Sequence, residues 1–202
     1  MPTNDQLNKH TGKDNHGTPQ WLFDILDDEF HFVLDVCADE TNKKCINYYN
    51  EEISGLHHGW AESNFCNPPY GRVIADWVYK ALYESNQLSF KFDDKTQSGC
   101  THCKEVVILL PSRTDTKWFH LILDNPNAEF VFIPGRLSFE DENREPIINK
   151  KTGKTQKAQF PSLLVFFNCD PQSIENVKQK IYDHQKRRKH AKKSKVRKEK
   201  IF

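Results

Sequence analysis

The stretch "NFCNPPYGR", residues 64–72, is the part of the sequence that decides the fold, because it joins a short apolar run to a turn with two consecutive prolines. Proline has no backbone N–H and has a fixed φ, so two prolines in succession end a strand. The residues that follow, 73–85, have apolar side chains at helical spacing. A strand followed by a turn and a helix is the repeating unit of α/β proteins.

Similar patterns lie on both sides of this turn. Thr18 is predicted as the N-cap of a first helix with Pro19 at its first position, and the apolar run 30–36 predicts a buried strand. A later helix is expected to have Thr114 or Asp115 as its cap. The other predicted strands are residues 45–50, 105–111 and 128–134, with a final hairpin whose arms are Arg136–Phe139 and Ser162–Phe167.

Strands that alternate with helices and end in a hairpin predict an α/β fold with a mostly parallel, doubly wound sheet and a C-terminal antiparallel hairpin. In such sheets ligands bind at the carboxyl ends of the strands. Three polar turns are therefore expected to converge: Asp35–Asp39, Asn67–Arg72 and Ser112–Thr116. The predicted organisation is a flexible N-terminal arm (1–17), the main domain (18–170) and a C-terminal helix with a tail (171–202).

The charge of the chain is unevenly distributed. The net charge of the 202 residues is +1, yet residues 178–200 contain twelve Lys and Arg and only two acids, Asp183 and Glu199. An acidic body with a basic tail favours a polyanionic partner that the tail binds through its phosphates, with Arg187, Arg188 and Lys189 among the contacts. A solvated, frayed helix end is the alternative interpretation of the same charges.

The remaining composition is that of a soluble intracellular protein. No apolar run approaches the roughly 18 residues that span a bilayer, and residues 1–17 lack an apolar signal-peptide core. The cysteines are scattered, with no sign of a disulfide framework. Cys100 and Cys103 are half of a zinc site at most, even with His57, His58 and His102 as further ligands, so no metal is expected.

The proline turn has chemistry that suits an amino group. Asn67 supplies a carboxamide oxygen, and Pro68 supplies a backbone carbonyl, since neither proline has an N–H to donate nearby. Two convergent acceptors can hold the hydrogens of an exocyclic NH₂, and Tyr70 adds a flat face on which a planar ring can stack. The usual electrophile for such an amine is a sulfonium methyl group. A Pro-Pro turn that merely ends a strand is the alternative.

Several blocks of the sequence together resemble the phage-type DNA N6-adenine methyltransferase (Dam) family. The blocks are "TPQWLFDILDDEF", "LDVCADETNKKC", "FCNPPYG", "LLPSRTDTKWFH", "GRLSF" and "FPSLLVFF", which cover roughly residues 18–168. The resemblance implies a Rossmann-like methyltransferase fold, S-adenosylmethionine as the methyl donor and double-stranded DNA as the partner. It also implies that Asn67, Pro68, Pro69 and Tyr70 form the catalytic turn, and that the target base is flipped out of the duplex.

The same resemblance implies where the cofactor and the DNA bind. Its implied cofactor-binding residues are Thr18, Pro19, Trp21, Asp35, Cys37, Ala38, Asp39 and Asn67, although Thr18 and Trp21 equally fit a helix cap and a core residue. Asp39, Glu51 and Glu52 are the candidates for holding the cofactor ribose. The residues expected to contact the DNA are Arg113, Thr114 and Arg136. The stretch after Asp35 has no glycine, unlike the first loop of many such enzymes.

The expected activity is site-specific, adenine-specific methylation of DNA in the cytoplasm, which is the host bacterial cytoplasm if a phage encodes the protein. Three other activities remain open: methylation of the cytosine amino group, methylation of a glutamine amide in a protein, and DNA binding without catalysis on a methyltransferase scaffold. Sequence readout is assigned to the 86–104 excursion, the 140–160 tip or the tail. The number of subunits is not predicted.

Overall fold

The computed structural model describes residues 16–86 and 104–199, with side chains as far as residue 191. The predicted N-terminal arm up to residue 15, most of the 86–104 excursion and the Cys100–Cys103 pair lie outside the described residues. The strands are β1 Leu34–Asp35, β2 Asn47–Tyr48, β3 Ser63–Cys66, β4 Glu105–Pro111, β5 Ala128–Phe132 and β6 Ser162–Phe167. The helices are α1 Gln20–Phe30, α2 Ile74–Glu84, α3 Lys117–Leu123 and α4 Pro171–Glu199.

The six strands form one sheet in the order β2-β1-β3-β4-β6-β5. The pairs β1–β2, β1–β3 and β3–β4 are parallel, whereas β6 is antiparallel to both β4 and β5. Since β4 and β5 both oppose β6, five strands run in one direction and β6 alone runs against them. This confirms the expected α/β fold with a mostly parallel sheet and antiparallel C-terminal strands.

The inner strands β4 and β6 are almost wholly apolar because the sheet is covered on both faces. In β4, Val107 and Leu109 pack towards α1 and α4, and the alternate residues Val106, Ile108 and Leu110 pack towards α2 and α3. Each of these side chains is fully buried, which stabilises the fold by about 1.5–3 kcal/mol per residue of this size. The layers are therefore helix, sheet and helix.

Helices α1 and α4 form an antiparallel pair on one face. Asn176, near the start of α4, donates to the Glu29 carboxylate at the end of α1, while His184 stacks on Trp21 at the start of α1. The end of α1 leads within a few residues into β1, so the start of α1 lies at the edge where β1 ends. We call this edge, at which β1, β3 and β4 end, the carboxyl edge, and α4 runs towards it.

Two predicted helix caps were wrong by one or two residues. The first helix begins at Gln20 with Pro19 as its N-cap, so Thr18 is not the cap. The third begins after Thr116, whose hydroxyl accepts from the N–H of Phe119, so neither Thr114 nor Asp115 is the cap. Thr116 also donates to the Arg113 carbonyl at 2.8 Å, a turn that the sequence pattern did not specify.

Two strand predictions also need correction. The first strand is only Leu34–Asp35, because α1 continues to Phe30 and His31, in the left-handed conformation at its C-cap, begins the short connection 31–33. Ser162–Phe167 is a strand, but it pairs with Ala128–Phe132 and not with Arg136–Phe139. Residues 136–139 belong instead to an irregular connection, 133–161, because β5 occupies the position beside β6.

Gly55 allows the loop after β2 to pass close to the end of β1. A Cβ atom at this position would lie 2.2 Å from the Val36 carbonyl oxygen and 3.2 Å from the Trp77 ring. No side chain fits there without a shift of the backbone. Within the described residues, no helix has the length and apolar character required to cross a membrane.

Candidate active site

The candidate site lies where the order of the strands reverses. The chain moves from β1 to β2 on one side and then to β3 on the other, and Asp35 of β1 pairs in register with Phe65 of β3. Asn67 follows Phe65 by two residues, so it leaves the sheet beside the end of β1. Such a reversal opens a crevice outside the carboxyl ends of the strands, where ligands bind in α/β sheets.

The amide of Asn67 has a defined orientation. Its Nδ2 donates to the backbone carbonyl of His16 at 3.0 Å. Its Oδ1 and the carbonyl of Pro68 accept no hydrogen bond from any residue that the structure describes. Asn67 is half-buried and Pro68 is buried. The turn therefore presents two unused acceptors next to each other in the chain.

Tyr70 packs inside an aromatic cluster. Its ring meets the edge of Phe139 with centroids 6.0 Å apart and planes at 82°, and His16 stacks on Phe139 at 5.7 Å. The Tyr70 hydroxyl is buried without a partner among the described residues, and burial raises its pKa, so the phenol stays neutral. Gly71 follows with φ +139°, which allows the chain to turn into α2.

Asp35 is buried at the end of β1, with only 2% of its surface exposed. Its two carboxylate oxygens accept from the backbone N–H groups of Cys37 at 3.4 Å and Lys44 at 3.1 Å. Burial raises the pKa of the Asp35 carboxyl to about 6, against the opposing effect of those two N–H groups. The carboxylate thus holds the loop after β1 closed on itself.

The cysteines beside the site are thiols. Burial raises the pKa of both Cys37 and Cys66 well above the ordinary value, and the nearby Asp35 carboxylate adds to the effect. A thiol of this kind is a weak nucleophile and a weak metal ligand. Among the described residues, no group of three or more His, Cys, Asp or Glu side chains is arranged to hold a metal ion.

The acidic residues proposed for the cofactor ribose differ in their surroundings. Asp39 Oδ1 accepts from the Thr41 N–H at 2.7 Å and the Asn42 N–H at 3.0 Å, so it closes a tight turn. Glu51 and Glu52 follow β2 and are exposed. Ala38 donates to the Tyr49 carbonyl at 3.0 Å, which continues the pairing of the first two strands.

Sequence reasoning missed a buried polar cluster formed by Gln20, Lys44 and Glu140. The Lys44 ammonium lies 3.1 Å from Glu140 Oε2 and 2.9 Å from Gln20 Oε1, and its side chain is only 3% exposed. Glu140 Oε1 accepts from the Gln20 backbone N–H at 2.7 Å. These residues are far apart in the chain and each belongs to a polar segment, so no local pattern identifies them.

The segment before α1 is held between this cluster and the turn. Gly17 and Glu140 exchange two backbone hydrogen bonds of 2.9 Å, and the adjacent His16 carbonyl receives Asn67. Thr18 and Pro19 are buried. Trp21 stacks on His184 of α4 with centroids 4.1 Å apart, which agrees with the alternative of a packing role. Its role towards a cofactor stays a prediction.

Cationic side chains lie near the carboxyl edge. The Arg113 guanidinium pairs with Asp115 at 3.0 Å and lies 5.1 Å from the Phe160 ring, and Thr114 is exposed. Arg136 donates to the backbone carbonyls of residues 158 and 159. Arg187, Arg188 and Lys189 are exposed on α4 beyond the stack with Trp21. These five cations therefore lie on segments that start at, or run towards, the edge at which Asn67 lies.

The chain is similar to known proteins over most of its length. The family model described as DNA N-6-adenine-methyltransferase (Dam) matches residues 6–193. The chain is also 34% identical over 164 residues to a DNA N-6-adenine-methyltransferase of Haemophilus phage HP1 (strain HP1c1). That alignment covers 79% of this chain and 81% of the phage protein.

Proposed function

The chain belongs to the DNA N-6-adenine-methyltransferase (Dam) family, and we propose that it transfers a methyl group from S-adenosylmethionine to N6 of adenine in double-stranded DNA. The observation that carries this proposal is the pair of open acceptors, Asn67 Oδ1 and the Pro68 carbonyl, at the reversal of the strand order. The proposed Rossmann-like methyltransferase fold is supported by that reversal and by the doubly covered sheet.

The two acceptors would bind the two hydrogens of the target amino group. The lone pair of that nitrogen is delocalised into the base, and two fixed acceptors favour the tetrahedral geometry in which it becomes available. S-adenosylmethionine supplies a methyl group on a positively charged sulfur. Asn67 acts by orientation, because His16 occupies its Nδ2 and leaves its Oδ1 for the substrate.

This arrangement needs no thiolate and no strong base. The raised pKa values of Cys37 and Cys66 keep both thiols protonated, which supports transfer to an amino group over a route through a cysteine nucleophile. A target amino group inside a duplex is out of reach, so we propose that the adenine is flipped into the crevice beside Tyr70. Tyr70 would then contact the ring of the base.

The residues of the carboxyl edge fit S-adenosylmethionine by their chemistry. The buried Asp35 carboxylate gives the loop after β1 a negative charge that suits a positively charged ligand. Asp39 Oδ1 already accepts from Thr41 and Asn42, so we assign the ribose hydroxyls to Glu51 or Glu52 at the end of β2. Thr18, Pro19, Cys37 and Ala38 are proposed to line the same pocket.

The proposed DNA contacts are Arg113, Thr114 and Arg136 on the edge and Arg187, Arg188 and Lys189 on α4. Helix α4 leaves the body at the carboxyl edge, which supports contact between the tail and the DNA phosphates. The enzyme would act in a bacterial cytoplasm, where the DNA of a host or a phage is accessible. No observation favours a protein substrate.

One experiment tests the proposal against its alternatives. Labelled S-adenosylmethionine and unmethylated duplex DNA are incubated with the protein, and the DNA is hydrolysed to identify the labelled base. We expect the label in N6-methyladenine and its loss in Asn67→Ala, with full activity retained in Asn127→Ala, an exposed asparagine next to the start of β5. Label in N4-methylcytosine, in a protein amide or in no product at all would refute it.

A further inference from the structure

The connection between β5 and β6, residues 133–161, lies at the carboxyl edge. Strand β5 runs in the same direction as β4, so it ends at that edge, and β6 begins there, with Ser162 opposite Pro111. Residues 137–140 turn back towards the site, where Phe139 contacts both Tyr70 and His16. This connection therefore contacts the proposed catalytic turn.

Residues 146–157 of the connection form a hydrogen-bonded hairpin, which we call the basic hairpin. Ile147 donates to the Phe139 carbonyl at 3.0 Å and accepts from the N–H of Gln156 at 2.7 Å. Asn149 donates to the Lys154 carbonyl at 2.8 Å, and its side chain accepts from the N–H groups of residues 151 and 152. The tip thus has a defined turn.

The charge of the basic hairpin has one sign. Its residues 146–157 contain four lysines, at 150, 151, 154 and 157, and no acidic residue. All four are exposed. Within the part of the chain that the structure describes, Lys150, Lys151 and Lys154 have no ion-pair partner, while the acids of the preceding turn lie at 140–145. Three charges at the tip are therefore available to a polyanion.

The 86–104 excursion, another of the predicted readout segments, is joined to the body at the opposite edge. Glu84, which precedes the excursion, and Lys104, its last residue, form an ion pair at the start of β4. Asn168 also bridges its two ends, since it donates to the Ser85 carbonyl at 2.8 Å and to the Lys104 carbonyl at 3.0 Å. Among the residues that the structure describes, the basic hairpin is the predicted readout segment whose base contacts the aromatic cluster beside Asn67.

We propose that the basic hairpin binds the DNA duplex beside the target adenine, with Lys150, Lys151 and Lys154 on its phosphates. This rests on the proposed function, because it takes DNA as the substrate. A two-stranded β-ribbon has a width that the major groove accepts, and lysines at its turn reach the flanking backbone. The contact from Phe139 to Tyr70 would couple the seated duplex to the pocket of the flipped base.

The test uses the full chain with Lys150→Ala, Lys151→Ala, Lys154→Ala and the triple variant. The control is Thr155→Ala, an exposed and uncharged residue of the same hairpin, which leaves all four lysines in place. DNA affinity is measured as a function of salt concentration, together with kcat, the KM for DNA and the KM for S-adenosylmethionine. Thermal unfolding of each variant verifies that the fold is intact.

We expect each single substitution to raise the KM for DNA several-fold and to reduce the slope of log affinity against log salt by about 0.9. The triple variant should lose about three times as much slope, with the KM for S-adenosylmethionine within twofold of wild type. If the wild-type protein methylates DNA but all three single variants and the triple variant keep the wild-type slope of log affinity against log salt, the inference is overturned. Absence of DNA methylation by the wild-type protein would instead refute the proposed function.

Discussion

The rings of Trp21 and His184 stack with centroids 4.1 Å apart and planes within 13° of parallel. This contact marks where α4 leaves the body of the protein, at the start of α1 and next to the segment that holds Asn67. Residues 185–199 continue as a helix beyond it, which is a length of about 22 Å at 1.5 Å per residue. A helical segment rich in Lys and Arg therefore extends from the carboxyl edge of the sheet, where the candidate site lies.

Deletion of residues 186–202 should weaken DNA binding and flatten its dependence on salt. The deleted segment contains most of the basic residues of the tail but none of the buried α4 residues Ile174, Val177 and Ile181. The folded body should therefore unfold at the wild-type temperature. Each lost phosphate contact reduces the salt slope by about 0.9. Binding titrations at 50–300 mM salt verify this, and an unchanged slope would contradict it.

DNA binding should become tighter at lower pH through His184. Partial burial lowers the pKa of this imidazole, and the positive charges of Arg188 and Arg187 lower it further. Phosphates that neutralise those arginines would raise the pKa in the complex, so binding takes up a proton and is favoured as pH falls below about 6.5. His184→Phe retains a ring on Trp21 and should abolish this part of the pH dependence of the dissociation constant.

Asp35 should make stability fall with rising pH between about 4 and 6. Its folded pKa of about 6 exceeds the ordinary 3.8, so the folded state binds the proton more tightly than the unfolded state. This tighter proton binding adds about 3 kcal/mol to the free energy of unfolding below pH 4, and the added stability is lost as pH rises above 6.

Asp35→Asn should remove that titration. The NH₂ of the asparagine would face one of the two backbone N–H groups that donate to the carboxylate, and two donors cannot bond each other. The variant should therefore be less stable than wild type at pH 4. The difference should shrink as pH rises to 7, as measured by urea unfolding at each pH. Asp124→Asn, which removes an exposed carboxylate, is the control, and a gap between wild type and Asp35→Asn that is constant with pH would argue against the assignment.

The Lys44–Glu140 pair should be strongly coupled. Loss of one partner leaves a buried charge without compensation, so Lys44→Met and Glu140→Gln should each destabilise the protein by about 3–5 kcal/mol. The double variant should cost less than the sum of the two. A double-mutant cycle in urea measures this coupling, and simple additivity would mean that the pair contributes no joint stability.

Gly55→Ala should destabilise the protein because its Cβ would overlap the Val36 carbonyl. The expected cost is about 1–3 kcal/mol, as for other overpacked sites. Gly59→Ala is a matched control from the same loop, since a Cβ there meets no atom within 4 Å. Urea midpoints of the two variants should therefore differ clearly, and equal midpoints would contradict the close approach.

Much of the fold was predictable because it depends on spacing along the chain. The apolar run of β4 and the helical spacing of α2 lie within a dozen residues, and both elements were found where the pattern placed them. The length of the first strand was overestimated because the mostly apolar run 30–36 fits either a strand or a helix. Its first residue, Phe30, ends α1 and packs on Phe166. The hairpin arm at 136–139 failed because β5 competes for the same edge of β6.

Local chemistry specifies the Asn67–Tyr70 turn, its two acceptors and the order of strands and helices, since proline geometry and side-chain periodicity act between near neighbours. Packing of distant segments determines the rest. The His16 carbonyl that orients Asn67, the burial of Lys44 with Glu140 and the exit of α4 at the carboxyl edge join residues tens of positions apart. Such contacts form only when helices cover both faces of the sheet, because burial of apolar surface from many segments together supplies the free energy that holds distant residues in place.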